Sequence, residues 1–243
     1  GIQLDNGNNI SGDFVIPTCD PFHLFTSILD KKYMPRQFKY AFSNSDKYEL
    51  DSSFHVAYEY DGQADEINDC TYFDCDEINV GLRKIERLNV KNYSYDESFV
   101  PAGKNLIQVR IFQDEADYKY WKQLYETDKK QYKHRKEEIS GLILKAVEKQ
   151  YPSAKGKLKL LDVWTPYTYT HFVNAYCGCF MGFVLTKNGK FLTLSGVLKG
   201  LKNVFLAGQW LSSPHGIPIA VTYGKFAVQR ILKSLHKPYY FDS

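Results

Sequence analysis

Asn203-Val-Phe-Leu-Ala-Gly208-Gln209-Trp-Leu-Ser-Ser-Pro214-His-Gly216-Ile-Pro218-Ile-Ala-Val-Thr-Tyr-Gly224 is the stretch whose reading decides the fold. A short apolar, β-branched run ends in Ala-Gly, and a Ser/Pro/Gly loop follows. An apolar segment with small residues then continues into Lys225-Phe-Ala-Val-Gln-Arg-Ile-Leu. That order predicts a strand, a loop and a helix start. A helix N-terminus carries unpaired N–H groups and the positive end of a dipole, so such a loop could hold an anion or the electron-rich edge of a cofactor. An ordinary strand-to-helix crossover reads the same way.

A second uncharged stretch runs from Val163 to Thr186. It is long enough to span a bilayer, but Pro166, His171, Asn174 and its Thr and Tyr residues would leave polar groups in lipid. A strand pair lining a cavity is the preferred reading, with a plain hairpin of the central sheet as the alternative. On a strand, Tyr167 and Tyr169 would share a face. Upstream, Asn6-Gly7 marks a hairpin followed by a buried strand up to residue 20. Phe22 to Leu29 suggests a short helix with Asp20 as N-cap and Pro21 at its first position. Residues 54–60 and 106–112 read as strands, the latter with strict alternation and hence one buried face. Residues 61–77 hold seven acidic and no basic side chains and read as a solvated loop.

The clearest helix covers Glu115 to Gln150, with Asp114 and Asp117 placed for a capping box and a kink expected near Thr127. Tyr118, Trp121, Tyr125, Tyr132, Ile139, Leu142, Ile143 and Val147 form its apolar stripe. Between Asp117 and Lys159 there are twelve Lys or Arg against six Asp or Glu. This face either keeps a long helix solvated or meets an acidic membrane surface.

The 243 residues suit one domain or one domain with part of another, and 44% hydrophobic content supports a core. A formal net charge of +3 argues against a nucleic-acid partner. The 19 Tyr and 16 Phe suit a sheet core or a pocket for a long apolar ligand. Five scattered cysteines do not read as a disulfide framework and favour a reducing, cytoplasmic compartment. No metal site is expected, because neither Cys70/Cys75 nor Cys177/Cys179 has paired zinc spacing. His134, among charges, reads as solvated.

The 203–224 segment resembles the C-terminal flavin-binding motif of FAD-dependent amine oxidases and phytoene desaturase-like or carotenoid isomerase-like oxidoreductases. Four further segments match in order. They are Gly1 to Gly7 with Gly12 to Pro21, the Val100-Pro-Ala-Gly-Lys104 turn, the helical region from Trp121 to Pro152, and Trp164-Thr-Pro-Tyr-Thr168 through Gly182. The resemblance implies that Gly208 and Gln209 approach the pyrophosphate and ribityl part of FAD. It likewise implies that Gly216, Ile217, Pro218 and Ile219 lie beside the isoalloxazine. Tyr167, Tyr169, Tyr176, Met181 and Phe183 become candidate substrate contacts. Where Gln209 stands the family often has an acidic residue, and where Pro214-His215-Gly216 stands it commonly has a run of glycines.

The resemblance also implies an α+β fold: an antiparallel or mixed sheet with packed helices, plus the last strand and helix of an FAD-binding domain. Residues 1–20 and 191–243 would belong to the FAD domain and 21–190 to the substrate domain. None of the sixteen glycines forms the Gly-x-Gly-x-x-Gly turn on which a pyrophosphate is usually bound. The chain is therefore expected to be the C-terminal portion of a larger flavoprotein, inactive by itself, whose partner is a Rossmann part lying outside it. The parent is expected to oxidise, reduce or isomerise a polyene or other apolar substrate by hydride transfer with flavin N5. It could also touch a membrane peripherally. No catalytic residue is assigned. The alternative is a hydrophobic-ligand or interaction module that has lost its flavin.

Overall fold

The computed structural model describes residues 1–239. In chain order its elements begin with β1 (Ile2–Gln3), β2 (Asn9–Ile10), α1 (Pro21–His23), α2 (Arg36–Phe42), β3 (Tyr48–Leu50) and β4 (Ser52–Asp61). There follow β5 (Cys70–Val80), β6 (Arg83–Asn92), β7 (Lys104–Gln113), α3 (Glu115–Thr127), α4 (Lys129–Gln150) and β8 (Leu158–Trp164). The last are α5 (Pro166–Val173), β9 (Phe183–Leu185) and α6 (Ile217–Ser234). The class is α+β, as expected from sequence.

Two compact units share these elements, one made of residues 52–172 and 177–180, the other of 1–51, 173–176 and 181–239. The expected boundaries at 20 and 190 do not coincide with this division. Residues 21–51 and 181–190 pair with each other through β3 and β9 and group with the chain's two ends, because Phe42 and Phe183 pack on Trp210.

The sheet unit is a five-stranded antiparallel sheet in the order β5-β6-β7-β4-β8. Period-two alternation decides its faces. Phe54, Val56, Tyr58 and Tyr60 of β4 are fully buried, opposite Ile111, Val109 and Ile107 of β7. That side carries α3 and α4: Trp121 stacks on Phe54 at 5.5 Å, and the Tyr58 hydroxyl donates to the Ser140 carbonyl at 2.7 Å. Burying each such side chain contributes roughly 1.5–3 kcal/mol over leaving it exposed. The acidic segment is a loop only up to Asp69, since Cys70 onward is β5, whose Asp74 and Asp76 point to Arg87 and Lys149.

The single long helix expected over 115–150 is two helices. Asp114 and Asp117 form the capping box. Asp128 then accepts from the backbone N–H groups of Lys130 and Gln131, ending α3 and starting α4. Tyr118, Trp121, Tyr132, Ile139, Ile143 and Val147 are buried, whereas Leu142 faces out at 39% exposure. His134 is exposed.

In the other unit, β1 and β2 form the Asn6-Gly7 hairpin. The following segment pairs with 203–207: Val15 N–H donates to the Asn203 carbonyl at 2.9 Å, and Phe205 and Ala207 donate to the carbonyls of Val15 and Pro17. It is half-buried rather than buried, because Ile16 turns outward at 39% exposure. Asp20 caps α1 through Phe22 and His23, and the helix continues as a π turn, Leu24–Ile28. The second Asp20 oxygen accepts from Tyr176 N–H at 2.9 Å, and burial pushes this carboxyl's pKa up against those three donors. No helix among the described residues is long and apolar enough to cross a membrane.

Candidate functional site

The 203–224 segment begins as extended backbone held by isolated bridges rather than as the expected strand, and then forms a loop and a helix. Val204 bridges Val15 in parallel, Phe205 bridges Val197 antiparallel, and Leu206 donates to the Gly196 carbonyl at 2.7 Å. At Gly208 the backbone takes φ +116°, ψ 177°, a conformation closed to residues with a Cβ. A single turn, Gln209–Leu211, follows and sets Trp210 into the interior. Trp210 packs on Phe183 at 5.2 Å and on Phe42 at 6.0 Å, which anchors the loop to its own unit.

His215 and Gly216 both sit at positive φ, +69° and +83°. The His215 Nδ1 lies 3.0 Å from the Gln209 carbonyl, so Nδ1 bears the hydrogen and Nε2 is the unprotonated nitrogen. Nε2 is buried without a partner, and burial lowers the imidazole pKa. The Gln209 side chain accepts from Gly216 N–H at 3.2 Å. Gln209 thus braces both ends of the loop.

α6 then starts with Ile217 and Pro218 in its first turn and no side chain capping it. Its N–H groups at Ile217 and Ile219 have no acceptor within the helix, and the dipole end there is positive. A Cβ at Gly216 would meet only Pro218 Cδ, at 4.0 Å, so the space beside it is open. Ile217 and Val221, one turn apart, are 80% and 68% exposed. The loop mouth therefore joins free N–H donors to an uncovered apolar face.

Over residues 1–232 the chain matches the family described as flavin containing amine oxidoreductase. The chain belongs to that family. No curated protein matches it. Membership of that family relates the chain to flavin-dependent oxidoreductases. Two glycines keep the backbone bare, N–H groups are free at a dipole end, and exposed apolar side chains offer a surface for a flat ring. These features fit the cofactor. Gly208, Gln209 and Gly216 to Ile219, which the sequence resemblance assigns to the cofactor, all lie in this loop and helix start.

The five candidate substrate contacts are not gathered on one strand pair. Residues 166–173 form the helix α5, so Tyr167 and Tyr169 point to different sides, contrary to the shared face expected of a strand. Thr165 and Pro166 are the missed signal: Thr165 N–H binds the Thr168 hydroxyl at 3.0 Å and Pro166 opens the helix. Tyr167 packs on Tyr125 at 4.7 Å, while the Tyr169 hydroxyl accepts from Trp164 Nε1 at 2.9 Å and lies 3.2 Å from Ser53 Oγ. Both belong to the sheet unit; Tyr176, Met181 and Phe183 belong to the other. Tyr176 stacks on Phe22 at 4.0 Å, and Phe183 is a core residue at 3% exposure. Met181 is half-buried next to Gly182, whose Cα faces the His215 ring. Sequence reasoning missed His55, a buried histidine on β4, since a lone histidine within an apolar run has no spacing signal.

Proposed function

We propose that this chain carries the isoalloxazine-facing loop of an FAD-dependent oxidoreductase acting on a polyene or other apolar substrate. The single observation that carries the reading is the mouth formed by Gly216 and the start of α6, with free N–H groups beside exposed Ile217 and Val221. A bound flavin supplies hydride exchange at its N5. The chain's part is binding and orientation. Gly208 and Gly216 leave room for the cofactor, the α6 N-terminus favours electron density at the ring edge, and the Gln209 amide holds the loop without adding charge.

Tyr176 and Met181 are the proposed apolar contacts on the loop's side. Tyr176 reaches Trp210 through Phe42, and Met181 precedes the glycine that abuts His215. The apolar character of Ile217 and Val221 supports a hydrocarbon-like substrate over a charged amine, because a cation there would lose its hydration without a partner. In this reading the Gly-x-Gly-x-x-Gly turn that completes the FAD site comes from outside these 243 residues.

The test is flavin content and visible absorbance of the whole purified protein and of its Gly208→Val and Gly216→Val variants. The wild type is expected to carry flavin, and both variants are expected to lose it while keeping their circular dichroism. Retention of flavin with an unchanged spectrum in both variants would overturn the assignment. Reduction of the flavin by a polyene but not by a primary amine supports the apolar substrate, and the reverse removes it.

A further inference from the structure

A groove of about 480 Å³ opens in the unit that holds the loop, between α2 and the β3–β9 ladder. Its construction follows from local pairing. Tyr48 pairs with Leu185, and the turn after β9 closes through Gly189 N–H on the Thr186 carbonyl at 3.1 Å. The Thr186 hydroxyl donates to the Lys47 carbonyl at 2.9 Å, and Gly189 lies so near that a Cβ there would meet this carbonyl at 2.5 Å. This clasp sets Lys190 and Phe191 beside Lys47 and Tyr48. From the other wall α2 contributes Arg36 and Tyr40, one helical turn apart.

The lining is unusual in its charge. Arg36, Lys47 and Lys190 all face the groove and no carboxylate does. Among the described residues neither Arg36 nor Lys190 has an acidic partner; Asp46 pulls electrostatically on Lys47 without pairing with it. Lys47 Nζ instead lies 3.2 Å from the Tyr40 hydroxyl and 5.7 Å from its ring centre. The Tyr48 hydroxyl accepts from Lys190 N–H at 3.3 Å, and its ring meets Tyr40 edge-on at 6.0 Å. Phe191 is 66% exposed. Among the described residues Arg36 and Lys190 have no acidic partner and Lys47 has only the unpaired pull of Asp46, so the groove favours an anion, and the exposed rings of Tyr40 and Phe191 beside it accept a flat body.

We propose that this groove is a binding site for a phosphate monoester carried on an aromatic body. A dianion matches three cations better than a single carboxylate, Arg36 offers the forked donor set that phosphate oxygens accept, and the exposed rings of Tyr40 and Phe191 form the apolar part. The volume is within the range of small-ligand sites. The site is separate from the loop at Gly208–Ile219 and does not depend on the flavin reading.

Isothermal titration of the whole chain with phenyl phosphate, inorganic phosphate and phenol, at low and physiological salt, tests it. Phenyl phosphate is expected to bind one-to-one, about tenfold or more tighter than either half-ligand, and to weaken as salt is raised. The Lys47→Gln/Lys190→Gln variant is expected to weaken it about tenfold or more, with the thermal midpoint held. If that variant does not fold, Arg36→Gln, at an exposed helical position outside the ladder, is expected to weaken binding likewise. Phenyl phosphate binding no tighter than inorganic phosphate, binding unchanged in Arg36→Gln, or no binding at millimolar concentration would each overturn the proposal.

Discussion

The imidazole of His55 stacks on the indole of Trp164 across the β4–β8 pair, with centroids 5.1 Å apart and planes 15° apart, and neither of its ring nitrogens has a hydrogen-bond partner. Phe180 and Tyr169 close on it edge-on, and Arg110 stands opposite on β7. Burial first, then the Arg110 charge, lower its pKa from 6.5 to about 4, with Gln108 pulling weakly the other way. A protein accepts an unsatisfied buried imidazole only where surrounding contacts compensate.

Because the folded pKa lies below the unfolded one, His55 contributes stability that is present above pH 6.5 and is lost as pH falls through the folded value near 4. The shift corresponds to about 3 kcal/mol. Burial lowers the His215 pKa too, so it acts with the same sign. Urea unfolding between pH 7 and pH 4 is expected to show this loss in the wild type and a shallower one in His55→Phe. Parallel curves would show that His55 is not the titrating group.

Gly182 is expected to tolerate no side chain. Its φ is +126°, and a Cβ would come within 2.8 Å of His215 Nδ1 and 2.9 Å of Cγ. That ring cannot swing aside freely, since Nδ1 is bound to the Gln209 carbonyl and the ring packs near Trp210. Gly182→Ala is expected to cost ~2–4 kcal/mol. Adding His215→Gly, at a position whose φ of +69° suits glycine, is expected to restore part of it. Additive effects in this double-mutant cycle would show that the two positions are not in contact.

Asp114 and Asp117 share the capping box but not its consequences. Asp117 is 1% exposed and accepts from Leu82 N–H at 3.0 Å, Arg83 Nε at 2.6 Å and Asp114 N–H at 3.2 Å. The Asp114 side chain is half exposed and bridges to Arg83 at the surface. Asp117→Ala is expected to destabilise by ~2–4 kcal/mol through unpaired buried donors, and Asp114→Ala by about 1 kcal/mol through loss of a cap. Equal denaturation midpoints for the two variants would contradict this ranking.

Sequence alone determined the elements whose signals are local. The caps at Asp20 and Asp114 need only a side chain two or three residues before the amides they accept from. The alternation of Ile107, Val109 and Ile111 is likewise readable without a partner, as is the loop-to-helix start at Gly216, whereas the strand expected before it is only extended backbone with isolated bridges. What tertiary structure decided is each matter that depends on a distant partner. Thr165 and Pro166 are a local helix start, but where that helix docks depends on the Tyr132 hydroxyl, 3.0 Å from the Thr165 hydroxyl and 33 positions away. Residues 21–51 joined the C-terminal part because Phe42 packs on Trp210, 168 positions away. The burial of His55 comes from strands and rings up to 125 positions distant. Periodicity and capping are properties of adjacent residues, whereas pairing register and desolvation are properties of neighbours brought close only by the fold.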